Sequence, residues 1–193
     1  MLQYSLSDQE YSLIRSFKIH SLLMRPKEYE YAPYYHTYVG KVPDGEILTN
    51  LRHIHHETQE LIANLPEEKG DYRYAEGKWT VKEVLMHLID TEQVMAYRAL
   101  RVARNDKTPM PGFDQDLFAK GVDVSDRTLK SLAEEYAITR DLSHVMFRHF
   151  SPEVFERMGT ASDNPVSVRA LAYIIMGHEI HHRKVLIEKY LNG

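Results

Sequence analysis

The run Ser167-Val-Arg-Ala-Leu-Ala-Tyr-Ile-Ile-Met-Gly-His-Glu-Ile-His-His-Arg183 decides how the rest of the chain is read. Ser167 is a helix-capping residue, and Leu171, Ile175 and Leu186 recur at the spacing of one helical face, so a helix is expected from Ser167 to about Asn192. His178 and His182 lie four positions apart, which on a helix means about 40° around the axis and about 6 Å along it. Both fall within the arc of the apolar residues and so face the side on which the helix buries itself. Two imidazoles so placed can close on one ion, although a satisfied core pair or plain surface polarity also accounts for the pair taken alone. His181 lies at the edge of that face and is the poorer ligand. Any third ligand must be His, Asp or Glu from another element, because the chain has no cysteine.

At 193 residues the chain is long enough for one well-buried domain and short for two. With 43% hydrophobic and 27% charged residues it reads as an ordinary globular protein. The formal net charge of −4 offers no basic footprint, so nucleic acid is not expected as a partner. Met1 is not followed by a basic segment and an apolar run, and no stretch reaches membrane-spanning length, so neither secretion nor a membrane is expected and a cytoplasmic location is. The lack of cysteine fits a reducing compartment.

Working back from the last helix, three more long helices are expected. The first runs from about Asp44 to Asn64, with Ile47, Leu51, Ile54, Thr58, Leu61 and Leu65 on one face and Pro66 closing it. Its histidines, His53, His55 and His56, point away from that face or flank it and read as mostly solvated. The second begins at Thr80, with Glu83 at the capping-box position, and continues through Val84, Leu85, Leu88, Met95 and Ala99 to about Arg104. His87 sits at the flank of its apolar stripe, so periodicity does not say whether it points inward. The third spans about Asp126 to His149, with Leu129, Leu132, Ala133, Tyr136, Leu142, Val145 and Met146 as its apolar face. Ser151-Pro152 starts a short helical turn, and Gly159 to Pro165 reads as a break.

Between these lie two irregular stretches. Arg25 to Pro43 is a tyrosine-rich strap with prolines too close for a long helix and no alternation for a strand. Packing of Tyr29, Tyr34, Tyr35 and Tyr38 across the bundle is its plainer reading, and a pocket wall or subunit contact the other. Asn105 to Ser125 is a long crossover of the kind that often forms lids. Residues 1–24 read as a short helical extension begun by Ser7 and carried by Leu13, Ile14 and Phe17. The pattern is an all-α four-helix bundle, residues 25–193, with an extension at residues 1–24 and a long crossover loop.

The order and spacing of several motifs then resemble one family. These are Arg25-Pro26 to Tyr38, Tyr72-Arg73-Tyr74-Ala75, Gly77-Lys78-Trp79-Thr80 running into His87-Leu88-Ile89-Asp90-Thr91-Glu92, Tyr97 to Arg101, Pro109 to Asp114, and Gly177-His178 through Arg183. From Arg25 onward the chain is similar to the DinB/YfiT-like four-helix bundles, divalent-metal-dependent enzymes. The resemblance implies a metal held by three histidines, which fall here on His87, His178 and His182. It also implies either a hydrolase or a thiol-dependent S-transferase, with a small-molecule substrate and, for the transferase, a low-molecular-weight thiol. A non-catalytic, stress-related bundle that binds metal or a partner is the alternative.

Three neutral imidazoles leave an ion open positions, where it can activate water or a thiolate. All-imidazole ligation suits Zn, Ni, Cu or Fe; one divalent ion is expected, Zn or Ni, with Fe or Mn as further candidates. Glu179 and Asp90 are the carboxylates placed to serve as general base or to orient a ligand, unless each is taken up in an ion pair with Arg183, Arg98 or Arg101. A homodimer is expected from the aromatic strap.

Overall fold

A computed structural model describes residues 25–191, so the helix expected over the first 24 residues lies outside the described residues. The strap comprises 3-10 turns at Glu28–Glu30 and Pro33–Tyr35 and a short helix α1 (His36–Val39). Four long helices follow: α2 (Ile47–Ala63), α3 (Val81–Ala103), α5 (Leu129–Arg148) and α7 (Val168–Val185). They form a closed four-helix bundle in which α3 touches α5 and α7, and α2 touches the same two. Between them lie α4 (Gln115–Gly121), α6 (Pro152–Phe155) and a hairpin of β1 (Met158–Ala161) and β2 (Asn164–Ser167).

The helix starts follow from their caps. Thr80 accepts the amide of Glu83 at 3.1 Å while the Glu83 carboxylate accepts that of Thr80 at 2.6 Å, a reciprocal capping box. Ser167 accepts from the amide of Ala170 at 3.0 Å and opens α7. The α2 helix begins at Ile47 rather than Asp44, because Gly45 takes a φ of 144° and Glu46 supplies the cap. At its far end α7 passes into a π-helical turn, Leu186–Leu191, where the Tyr190 hydroxyl donates to the carbonyl of Trp79 at 2.7 Å.

Two sequence expectations need correction. Gly159 to Pro165 is not a plain break but the heart of the hairpin, turned at Ser162 and Asp163 with φ of 51° and 61°. A two-residue turn with both φ positive matches strand twist, and Pro165 is tolerated because it lies on an edge strand. Met110 extends this hairpin, donating to Thr160 O at 3.0 Å and accepting from Ser162 N at 2.9 Å, and so pins the crossover to the bundle. The second correction concerns α5. Its buried face is Leu129, Leu132, Tyr136, Thr139, Arg140, Ser143 and Phe147, whereas Leu142 and Val145 are 71% and 44% exposed. The core face passes through polar residues, and a second apolar stripe on the same helix looks outward.

Those polar residues divide the core. One apolar cluster gathers Leu51, Ile54, Met95, Phe147, Phe155 and Leu171; the other gathers Leu85, Ile89, Leu132, Leu186 and Tyr190. Between them runs a buried charged layer. Arg140 Nε donates to Glu92 Oε1 at 2.9 Å, its Nη2 donates to both Glu92 and Glu179, and the Tyr136 hydroxyl donates to Glu179. Burial pushes the Glu92 carboxyl up, because one guanidinium serves two carboxylates. The strap is held by a second buried pair: Arg169 Nε and the Ser167 hydroxyl each donate to Glu30 Oε2 at 2.7 Å. Arg25 ties its other end, donating to the carbonyls of Val39 and Val42 at 2.6 and 2.7 Å.

Candidate metal site

In the first third of α3 and the second half of α7, next to the charged layer, the bundle brings together His87, His178 and His182, each offering a nitrogen within 4.8 Å of the others. The Nε2 atoms of His87 and His178 are 2.9 Å apart. Neighbouring rings fix the orientation: Trp79 lies 4.8 Å from His87, and Tyr38 stands edge-on to His178 at 5.4 Å. Thr91 Oγ1, one turn along α3, is 3.5 Å from His87 Nδ1, at the outer limit of a hydrogen bond. The flank position of His87 is thus resolved inward, and the residue is buried, 5% exposed.

Burial holds these imidazoles in the neutral form. It pushes the affinity of His87 for its proton down to a pKa of about 4 and that of His182 to about 3, while His178, fully enclosed, lies well below its ordinary value. The nearby histidines reinforce the effect for His178 and His182. Neutral imidazole is the ligand form. The Nδ1 atom of His182 is also buried without a hydrogen-bond partner, a costly arrangement for a polar atom that a bound cation would relieve. The donor set therefore fits a divalent ion of the nitrogen-preferring kind.

A cavity of about 330 Å³ opens over His87 and His178, walled by Tyr34, Tyr35 and Tyr38 of the strap and by Phe113, Asp114 and Gln115 of the crossover. The strap is a pocket wall, so the reading of its tyrosines as bundle packing alone is too narrow. The crossover supplies the facing rim, where Asp114 caps α4 through the amides of Asp116 and Leu117. His181 stays to one side, edge-on to Tyr38 at 5.6 Å.

The two carboxylates singled out in the sequence lie elsewhere. Glu179 turns its oxygens to Tyr136 and Arg140, behind His178 and away from the open cavity. Asp90 is half-buried and absent from the lining, and burial together with the charge of Glu135 raises its carboxyl. The arginines weighed as their partners are engaged otherwise: Arg183 with Glu57, Arg101 with Asp106, and Arg98 with Pro111 O and Ser162. Of the true partners of Glu179, Tyr136 was read from sequence only as a member of an apolar helical face, and Arg140 was not singled out at all. His53 and His56 are exposed and pair with Glu57 and Glu60, whereas His55 is half-buried against the ring of Tyr136 at 5.1 Å rather than solvated.

A four-helix bundle with three inward imidazoles from facing helices, under an open cavity, defines the class of protein. The DinB superfamily model matches residues 50–186, and the chain belongs to that superfamily. A relative from Oceanobacillus iheyensis, named "Putative metal-dependent hydrolase OB0413", is 24% identical over 124 residues, covering 64% of this chain and 71% of that one. Among solved structures, YfiT from Bacillus subtilis, described as a probable metal-dependent hydrolase with an unusual four-helix bundle topology, superimposes with a TM-score of 0.64. It is 13% identical and covers 90% of this chain and 95% of that one. The DinB-like protein YjoA of Bacillus subtilis has a TM-score of 0.55 and is 19% identical, covering 76% of this chain and 90% of that chain. None of the helices among the described residues is long and apolar enough to cross a membrane.

Proposed function

We propose that this protein is a metal-dependent hydrolase of a small molecule, with His87, His178 and His182 as the ligands of one divalent ion. The observation that carries this reading is the convergence of three imidazole nitrogens within 4.8 Å of one another, with His87 and His178 lining an open cavity. The names of the Oceanobacillus relative and of YfiT support the same direction. When bound, the ion supplies Lewis acidity, polarising a carbonyl and making water a stronger acid. The chain's own residues do the rest. Burial keeps the imidazoles unprotonated, and Trp79, Tyr38 and Thr91 hold their ring planes. Met95, Ile174 and Phe113 make the cavity wall apolar, while Thr91 and Gln115 offer polar groups to orient a substrate. Glu179 acts as a positioning residue, fixing its stretch of α7 through Arg140 and Tyr136.

The test is metal content on protein purified without a metal-affinity step, followed by turnover of an ester and amide panel with and without added thiols. One divalent ion per chain and at least tenfold weaker loading in His87→Ala, His178→Ala and His182→Ala are expected. Hydrolysis independent of thiol supports the hydrolase; turnover that requires thiol would assign the protein to the S-transferases; loading with no turnover in either panel would make it a metal-binding bundle without catalysis.

A further inference from the structure

The cavity above the histidines has an outer end whose chemistry differs from its floor. Three tyrosine rings crowd there: Tyr34 and Tyr35 are 5.2 Å apart at 80°, Tyr34 and Tyr38 6.0 Å at 73°, and Tyr35 and Tyr38 6.4 Å at 41°. Phe113 of the crossover lines the same space. Apart from the histidines, the one ionisable acid or base in the lining besides the tyrosines is the carboxylate of Asp114. Its Oδ1 takes both capping bonds of α4, and neither bond uses Oδ2.

No lysine or arginine lines this cavity. Arg98 stands behind this end, 5.7 Å from the Phe113 ring and hydrogen-bonded to Tyr35, but it is 3% exposed and its Nη2 donates to Pro111 O at 2.8 Å and Ser162 Oγ at 3.2 Å. An anionic group entering the outer end would therefore meet tyrosine rings and the carboxylate of Asp114, whose Oδ2 takes no capping bond. A weakly hydrated cation would meet three tyrosine rings and one carboxylate at that end, and aromatic faces attract ammonium groups.

We infer that the outer end receives the ammonium or quaternary ammonium group of the substrate, held by Tyr34, Tyr35 and Tyr38 with Asp114 as counter-charge. Tyr38 joins the two ends, because its ring also stands against His178. A cavity of about 330 Å³ has room for one small molecule spanning both. The ligand class is bipolar: a cation at the tyrosines and an electron-rich group, such as an ester carbonyl, toward the histidines. Only that inner half rests on the reading of the three histidines as an ion site.

The test uses the full chain, stripped of metal and then loaded with Zn, titrated with choline, with the neutral alcohol in which carbon replaces its nitrogen, and with the matching carboxylate. Ligand-observed NMR gives the affinities. Choline should bind about tenfold or more tightly than the alcohol in the stripped protein, and the carboxylate most weakly. Tyr34→Leu should lower choline affinity about fivefold and leave the alcohol unchanged, while Tyr34→Phe keeps the preference. Tyr34 is 66% exposed, so these variants keep the fold. Asp114→Asn, which can still cap α4, should cost about threefold. Equal binding of alcohol and choline, or a choline affinity indifferent to Tyr34→Leu, overturns the inference. Because the stripped protein carries the main comparison, a chain that prefers choline but holds no metal overturns the metal reading alone, and a chain that holds metal without the preference overturns only this one.

Discussion

A Cβ placed on Gly177 would stand 2.0 Å from the carbonyl oxygen of Tyr38. The strap backbone thus lies directly on α7, one residue before His178, and no side chain fits between them. In a free helix, replacing glycine with alanine gains about 1 kcal/mol. Here the contact is with main chain, which cannot rotate away. Gly177→Ala is expected to lower stability by about 1–3 kcal/mol in chemical denaturation and to weaken metal loading, since Tyr38 must retreat from His178. A more stable variant would show that the strap is free to shift.

Arg140 serves two buried carboxylates. Arg140→Met leaves Glu92 and Glu179 facing each other without a cation, at a cost of about 3–5 kcal/mol. Combining it with Glu92→Gln and Glu179→Gln should restore most of that loss, because neutral amides remove the stranded charge. Failure of the triple variant to recover would mean that the guanidinium holds the fold by shape rather than charge.

The strap anchor gives a pH signature. Burial would raise the Glu30 carboxyl, but hydrogen bonds from Arg169 and Ser167 outweigh it and hold the group below its ordinary value of 4.5. A carboxylate with a depressed folded pKa adds stability that is fully present above its unfolded value and is lost as pH falls through the folded one. Wild-type stability should therefore drop as pH falls below about 4.5, and Glu30→Gln, less stable at neutral pH, should show a shallower acid limb. Parallel curves for the two proteins would remove Glu30 as a cause.

The exposed histidines provide the control. His53 and His56 have side chains 65% and 70% exposed, with glutamates one turn away. The double variant His53→Ala/His56→Ala should hold its metal as wild type does and change stability by no more than about 0.5 kcal/mol. Loss of the ion in this variant would place the site on the wrong cluster.

The bundle was readable because Thr80, Ser167 and the apolar residues of α2, α3 and α7 obey one local periodicity. The α5 face was not, because its core positions are filled by Thr139, Arg140 and Ser143 while Ile138 and Leu142 point outward. A polar residue at a core position gives no signal until its partner is known, and the partners of Arg140 come from α3 and α7. His87 had the same difficulty: its position on the stripe's flank admitted either direction, and only packing against Trp79 and α7 settled it. The hairpin was hidden because its turn uses Ser162 and Asp163 where glycine would have announced positive φ. Sites formed between helices distant in sequence leave such gaps in any local reading.

Trp79 is the sole indole of the chain, and its ring sits 4.8 Å from that of His87. Its ultraviolet emission consequently originates beside the imidazole cluster and nowhere else. An open-shell ion such as Ni or Cu seated there would darken that emission, whereas closed-shell Zn would leave it bright. The molecule thus carries a built-in optical gauge of which element it has acquired.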